Sequence, residues 1–136
     1  MYAKLKLGLL GTGHLLIDMI GIYTVNYQFR HLSISYVVFF FIIYNLIAFG
    51  IQPLIGYYTD IKNKYKEVML LGLLLGLVGL ITINLGLVAL LFVAVANAMY
   101  HVGGGVLSLE LYPNKATPLG IFVAPGAIGV LLGYML

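Results

Sequence analysis

Cysteine is absent from all 136 residues, so disulfides and thiolate metal sites are excluded. Charge is scarce too: Asp, Glu, Lys and Arg make up 8% of the chain against 62% hydrophobic residues. The mean hydropathy of +1.09 then excludes an ordinary soluble domain. No tandem repeat is visible, and no polar stretch is long enough to form a soluble module. What is left is a polytopic membrane protein whose permanent partner is the lipid bilayer.

A membrane-crossing helix needs about 20 mostly apolar residues. The chain offers five such runs, at roughly 7–28, 35–56, 67–84, 86–107 and 116–136. The expected fold is an all-α membrane protein, one transmembrane domain over residues 1–136 with five transmembrane helices. Lys4 and Lys6 precede the first run in the manner of a signal peptide. That run is too long for one, carries His14 and Asp18 in its apolar stretch and has no clear small-residue cleavage site, so it reads as a retained span.

The net charge of +3 has meaning only through where the charges fall, and nothing in it points to nucleic acid. Alternate threading puts Lys4, Lys6, Lys62, Lys64, Lys66 and Lys115 on one side and Arg30 alone on the other. The positive-inside rule then predicts a cell-membrane protein with a cytoplasmic amino terminus. Arg30, His31 and Ser33 form an outer loop, and the short Asn84-Leu85-Gly86 turn predicts an antiparallel hairpin of spans three and four.

Seventeen glycines punctuate the spans, clustering at Gly72, Gly76 and Gly79 and at Gly126, Gly129 and Gly133. Small residues three and four apart let helix backbones approach when lipid removes the hydrophobic drive between helices. Both clusters are therefore expected at helix contacts. Pro125 beside Gly126 predicts a local kink in the fifth span.

At about 1.5 Å per residue, His14 lies about 10 Å and Asp18 about 16 Å from the cytoplasmic boundary. On the antiparallel fourth span, His101 and Asn97 fall at about 9 Å and about 15 Å. Both pairs are four residues apart, so each pair shares a helix face. Asn45, in the second span, is also near mid-depth. The expectation is a polar cluster of Asp18, His14, Asn97, His101 and Asn45, with spans one and four facing a common cavity.

A carboxylate at that depth is costly, and no Lys or Arg lies inside any predicted span to neutralise it. Its inexpensive options are to be protonated or to face water. Burial disfavours the charged form of a carboxyl and of an imidazole alike, so Asp18 and His14 are the expected proton-exchanging pair. His14, Asp18 and His101 are also competent zinc donors, but no spacing requires a metal and none is expected. No cofactor is expected either, and no Ser-His or metal-binding pair with protease-like spacing supports an intramembrane enzyme.

The stretch Gln52-Pro53-Leu54-Ile55-Gly56-Tyr57-Tyr58-Thr59-Asp60 closes the second span, and Lys62 and Lys64 follow. In that stretch the glycine is expected to allow close helix packing. Gly56-x-x-x-Asp60 with its basic followers resembles the loop signature of the major facilitator superfamily. The likeness is nearest to the fosmidomycin-resistance-like branch of that superfamily. His14-x-x-x-Asp18, the Gln52 to Asp60 run, Tyr100-His101 and the glycine-rich Phe122, Gly126, Gly129, Gly133 series match that branch in order and on the corresponding spans.

This resemblance implies an alternating-access transporter that exports a small molecule in exchange for protons. It implies proton coupling at Asp18 and His14, a substrate or proton path past Asn45, Asn97, Tyr100 and His101, and a conformational loop of Gly56, Asp60, Lys62 and Lys64. The chain departs from the pattern at Ile61, Asn63, Val102, Gly103 and Tyr134. Members of the branch have about twelve spans, so five imply the partial amino-terminal half of a major-facilitator fold: a fragment whose carboxy-terminal half is missing, a subunit that pairs with a partner subunit, or a self-assembling half. The competing expectation is an accessory or assembly subunit without transport of its own.

Overall fold

The structure, a computed structural model, describes residues 2–30 and 33–136; His31 of the expected outer loop lies outside the described residues. The described residues form α-helices with no strand. The helices are α1 (Tyr2–Phe29), α2 (Ile34–Gly50), α3 (Gln52–Lys62), α4 (Tyr65–Ile81), α5 (Leu87–Glu110) and α6 (Thr117–Met135), with a 3-10 turn at Ile83–Leu85. Four stretches are long and apolar enough to cross a membrane: Tyr2–Phe29, Ile34–Lys62, Leu87–Glu110 and Thr117–Met135.

The second stretch is α2 and α3 joined end to end. Pro53 has no N–H to continue the ladder, so the helix restarts after Ile51, with proline in the first turn of α3. Gln52 spans the break by donating its side-chain amide to the Ala48 carbonyl at 2.8 Å. The run expected to end at residue 56 therefore continues as helix to Lys62, where Asn63 adopts a left-handed φ of 51° and stops it.

The expected third span is α4, whose 17 residues stand at the lower limit of a membrane-crossing helix. The Thr82 hydroxyl turns back to the Val78 carbonyl at 2.8 Å, and the 3-10 turn follows. Gly86, with φ of 59°, then reverses the chain into α5. α4 and α5 pack along each other as a hairpin, one of the two most extensive interfaces; the other joins α1 to α6.

α5 is the central helix and touches every other helix. Its inward residues are mostly small, including Ala89, Ala94, Ala96, Ala98, Gly103 and Gly104. The glycine clusters lie at the interfaces. Gly72 faces the Ala96 carbonyl and Gly79 faces Val93, both on α5, while Gly129 sits on the Leu15 carbonyl and Gly133 on the Met19 carbonyl of α1. Gly11 of α1 receives the Pro125 ring and the Ile121 carbonyl, the group that Pro125 leaves without its helical donor.

α2 is the exception to this close packing, burying only Tyr44 and Ala48. Phe39, Phe41, Ile42, Leu46 and Phe49 are exposed, as apolar side chains facing lipid would be. Gly56 on α3 does not serve as a packing glycine within the chain: a Cβ there would meet nothing within 4 Å. That corrects the expected close packing at Gly56, since no atom of a neighbouring helix approaches it there.

A methyl group at Gly129 or Gly103 would collide with backbone, at Gly103 with the Tyr65 carbonyl and the Met69 amide. Gly129→Ala and Gly103→Ala are each expected to destabilise the bundle by about 1–3 kcal/mol, since backbone cannot yield as a side chain can. Gly56→Ala meets no obstacle and gains up to about 1 kcal/mol of helix propensity. Thermal unfolding in detergent, with the first two variants melting below the parent and the third at or above it, checks this.

Candidate functional site

α1 carries His14 and Asp18 on one face, one turn apart, as helical periodicity requires. α5 approaches that face with Asn97 and His101, also one turn apart. Because the helices are antiparallel, Asn97 meets Asp18 and His101 meets His14. The Asn97 amide donates to Asp18 Oδ1 at 2.7 Å, and the Nε2 atoms of His14 and His101 are 2.8 Å apart. Asp18 Oδ2 lies 3.2 Å from His14 Nε2, and Oδ1 lies 3.9 Å from His101 Nε2.

Two backbone carbonyls orient the imidazoles. His14 Nδ1 donates to the Phe122 carbonyl of α6 at 2.9 Å, and His101 Nδ1 donates to the Asn97 carbonyl of its own helix at 2.9 Å. A carbonyl oxygen only accepts, so each Nδ1 must carry hydrogen. The Phe122 ring stacks on His14 with centroids 4.5 Å apart and an interplanar angle of 27°. Three helices thus fix the position of His14.

Gly126 forms a wall of the site as well as a helix contact. A Cβ there would stand 2.5 Å from Asp18 Oδ2 and 2.7 Å from His14 Nε2. Tyr100 is fully buried, and its hydroxyl donates to the Leu10 carbonyl at 2.8 Å. It therefore ties α5 to α1 one turn from the histidines.

Asn45 stands apart from the expected cluster. Its amide donates to the Phe41 carbonyl of its own helix at 2.8 Å, while its neighbour Tyr44 is the side chain turned inward, with its hydroxyl against Gly21. The face of α2 that meets α1 is one residue away from the one expected. Asp60, Lys62 and Lys64 lie at the α3–α4 corner, far along the chain from the cluster and exposed, with Asp60 accepting a 3.0 Å hydrogen bond from Tyr65.

The cluster is buried at one side and open at the other. His14 has 2% of its side chain exposed, against 13% for Asp18 and 20% for His101. A small species can thus reach Asp18 and His101 without unpacking α1. Asn97 also keeps a buried Oδ1 without a hydrogen-bond partner among the described residues, an acceptor still available for a donor.

His14, His101 and Asp18 each offer a ligand atom, all within 4.8 Å of one another. The donor chemistry suits zinc, but two ligands at about 2.0 Å from a tetrahedral ion stand about 3.3 Å apart. The observed 2.8 Å between the Nε2 atoms is hydrogen-bond separation, which favours a proton over a metal.

Sequence reasoning did not identify the Phe122 carbonyl, the wall at Gly126 or the inward Tyr44. A backbone acceptor leaves no residue-type signal, although Pro125 marks α6 as locally irregular. Comparison with protein-family models, with curated proteins and with solved structures found no match.

Asn97→Leu keeps the branched shape of the side chain but leaves Asp18 without its shortest hydrogen bond. The expected loss is about 1.5–3 kcal/mol, the usual range for a hydrogen bond to a charged group. Asn45→Leu removes only a bond within one exposed helix and is expected to change stability by less than about 0.5 kcal/mol. Denaturation of both variants in the same detergent measures the difference.

Proposed function

We propose that this chain supplies the proton-coupling helices of an alternating-access secondary transporter that exports a small molecule. The observation that carries the reading is the cluster of Asp18, His14 and His101, set midway along apolar helices and partly open on one side. An ionised residue at the bilayer centre costs about 2.5–3.5 kcal/mol unless it is compensated. Asp18 has hydrogen-bonding and protonatable partners and no described lysine or arginine in contact, so its compensation changes with the proton occupancy of the site.

Several features support the wider reading. The motif resemblance to major facilitator transporters of the fosmidomycin-resistance-like branch runs through His14, Asp18, Gln52 to Asp60, Tyr100, His101 and the α6 glycines. α4 serves as a fifth, short span in this proposal, since it packs extensively along α5 and its 17 residues lie within the membrane-crossing range. The smooth glycine faces of α4 and α6 suit helices that shift against their neighbours.

The charge distribution supports a cytoplasmic amino terminus in the cell membrane. Lys4 and Lys115 line one cavity of about 490 Å³, and Lys6 and Lys66 line another of about 570 Å³. Arg30, at the other end of α1, donates to the Leu136 carbonyl at 2.7 Å. In this proposal the α3–α4 corner of Gly56, Asp60, Lys62 and Lys64 is the conformational loop, and the open face around Gly56 receives the helices that complete the cavity.

Asp18→Asn removes the exchangeable carboxyl while retaining its shape. In vesicles from cells expressing the gene, with fosmidomycin as the first probe and a trapped pH dye, the variant is expected to lose proton-coupled flux and to insert normally. Unchanged pH dependence in Asp18→Asn sinks the proton-coupling reading. Absence of flux in the parent as well, when the chain is co-expressed with the missing half or partner subunit that completes its cavity, favours the accessory subunit.

A further inference from the structure

A neutral imidazole has one N–H, and in His14 and His101 alike the carbonyl partner claims it at Nδ1. Each Nε2 is then a bare lone pair. The two Nε2 atoms lie 2.8 Å apart, with the rings T-shaped at 85° and their centroids 4.3 Å apart. Two acceptors that close repel, whereas a proton between them makes a charge-assisted N–H···N hydrogen bond.

Asp18 cannot relieve this arrangement by holding the proton itself. A protonated carboxyl could donate to His14 Nε2, 3.2 Å away, but His101 Nε2 would still face an acceptor. With the proton between the rings, the ionised carboxylate beside them balances the charge and the cluster is neutral overall.

The other groups around the pair do not alter the count. On α5, the Tyr100 hydroxyl is taken by the Leu10 carbonyl; from α2, Phe49 approaches His101 with its ring at 6.3 Å and Tyr44 rests against Gly21. α6 presents the Phe122 carbonyl and ring, and α4 meets this region of α1 and α5 through glycines such as Gly72 and Gly76. Asp18 is the one acidic group in contact among the described residues.

We infer that His14 and His101 act as a single proton-binding unit that holds one shared proton, with Asp18 as its counter-charge. The role in transport rests on the proton-coupling reading above; the shared proton itself does not. On release, the Nε2–H bond breaks and the proton passes to water at the open edge of Asp18 and His101. The two lone pairs left behind repel, and the link between α1 and α5 opens. Proton occupancy thereby controls a helix contact, and one proton is exchanged per site.

The test is nuclear magnetic resonance of the whole chain, ring-15N-labelled at histidine, in phosphatidylcholine nanodiscs near neutral pH, with His31→Gln to assign the third histidine. The expected spectrum shows both Nδ1 atoms protonated, an N–N coupling across the hydrogen bond and one strongly deshielded shared proton, all unchanged by EDTA. The coupling should vanish in His14→Gln and in His101→Gln. Two independent imidazoles without coupling in the parent protein overturn the inference, and so does a spectrum that EDTA changes, since a metal would then bridge the rings. The parent spectrum decides without any variant needing to fold. A shared proton without flux, once the completing half or partner subunit is present, leaves the inference standing and defeats the transport reading; flux without a shared proton does the reverse.

Discussion

One carboxylate, Asp18, sets the terms for the centre of this bundle. It is largely buried among apolar helices, so protein groups do most of its solvation, and they are held in place by three helices. α5 brings the Asn97 amide and His101, α1 brings His14, and α6 holds His14 through the Phe122 carbonyl. Removing any one partner leaves an expensive group only partly compensated. The register of α1 against α5 is consequently fixed by polar chemistry as much as by shape.

Close approach is the second requirement, and small residues meet it. Hydrogen bonds of 2.7–2.9 Å made by side chains as short as Asp, Asn and His, to one another or to a facing backbone carbonyl, need helix axes near one another. Gly126, Gly129 and Gly133 bring α6 onto α1, while the alanines and glycines of α5 let α1 and α4 settle against it. At Gly126 the two requirements coincide. The missing Cβ leaves room for both the Asp18 carboxylate and the His14 ring, so helix packing and site geometry share one residue.

The bundle is unevenly packed. α1, α4, α5 and α6 are joined along extensive interfaces, whereas α2 buries only two residues and Gly56 of α3 faces open space. The cluster is sealed on the His14 side and accessible on the Asp18 and His101 side. A closely packed group of helices holds the cluster, next to a pair that packs more loosely.

Much of this was legible in the residues. Apolar run length predicts the helices, because backbone groups in lipid must be satisfied within the segment. Counting residues along antiparallel runs predicts that Asn97 meets Asp18 and His101 meets His14, because rise per residue converts position into depth. Glycine spacing likewise places the α4 and α6 contact faces. What the sequence could not determine was rotation and backbone supply. Whether Tyr44 or Asn45 turns inward depends on a rotation of about 100° per residue about the helix axis, which apolar runs with little amphipathic contrast do not encode. That Phe122 anchors His14 through its carbonyl, and that two Nε2 atoms meet at 2.8 Å, were decided only when three helices packed, since a backbone acceptor is common to every residue and its use depends on what lies opposite.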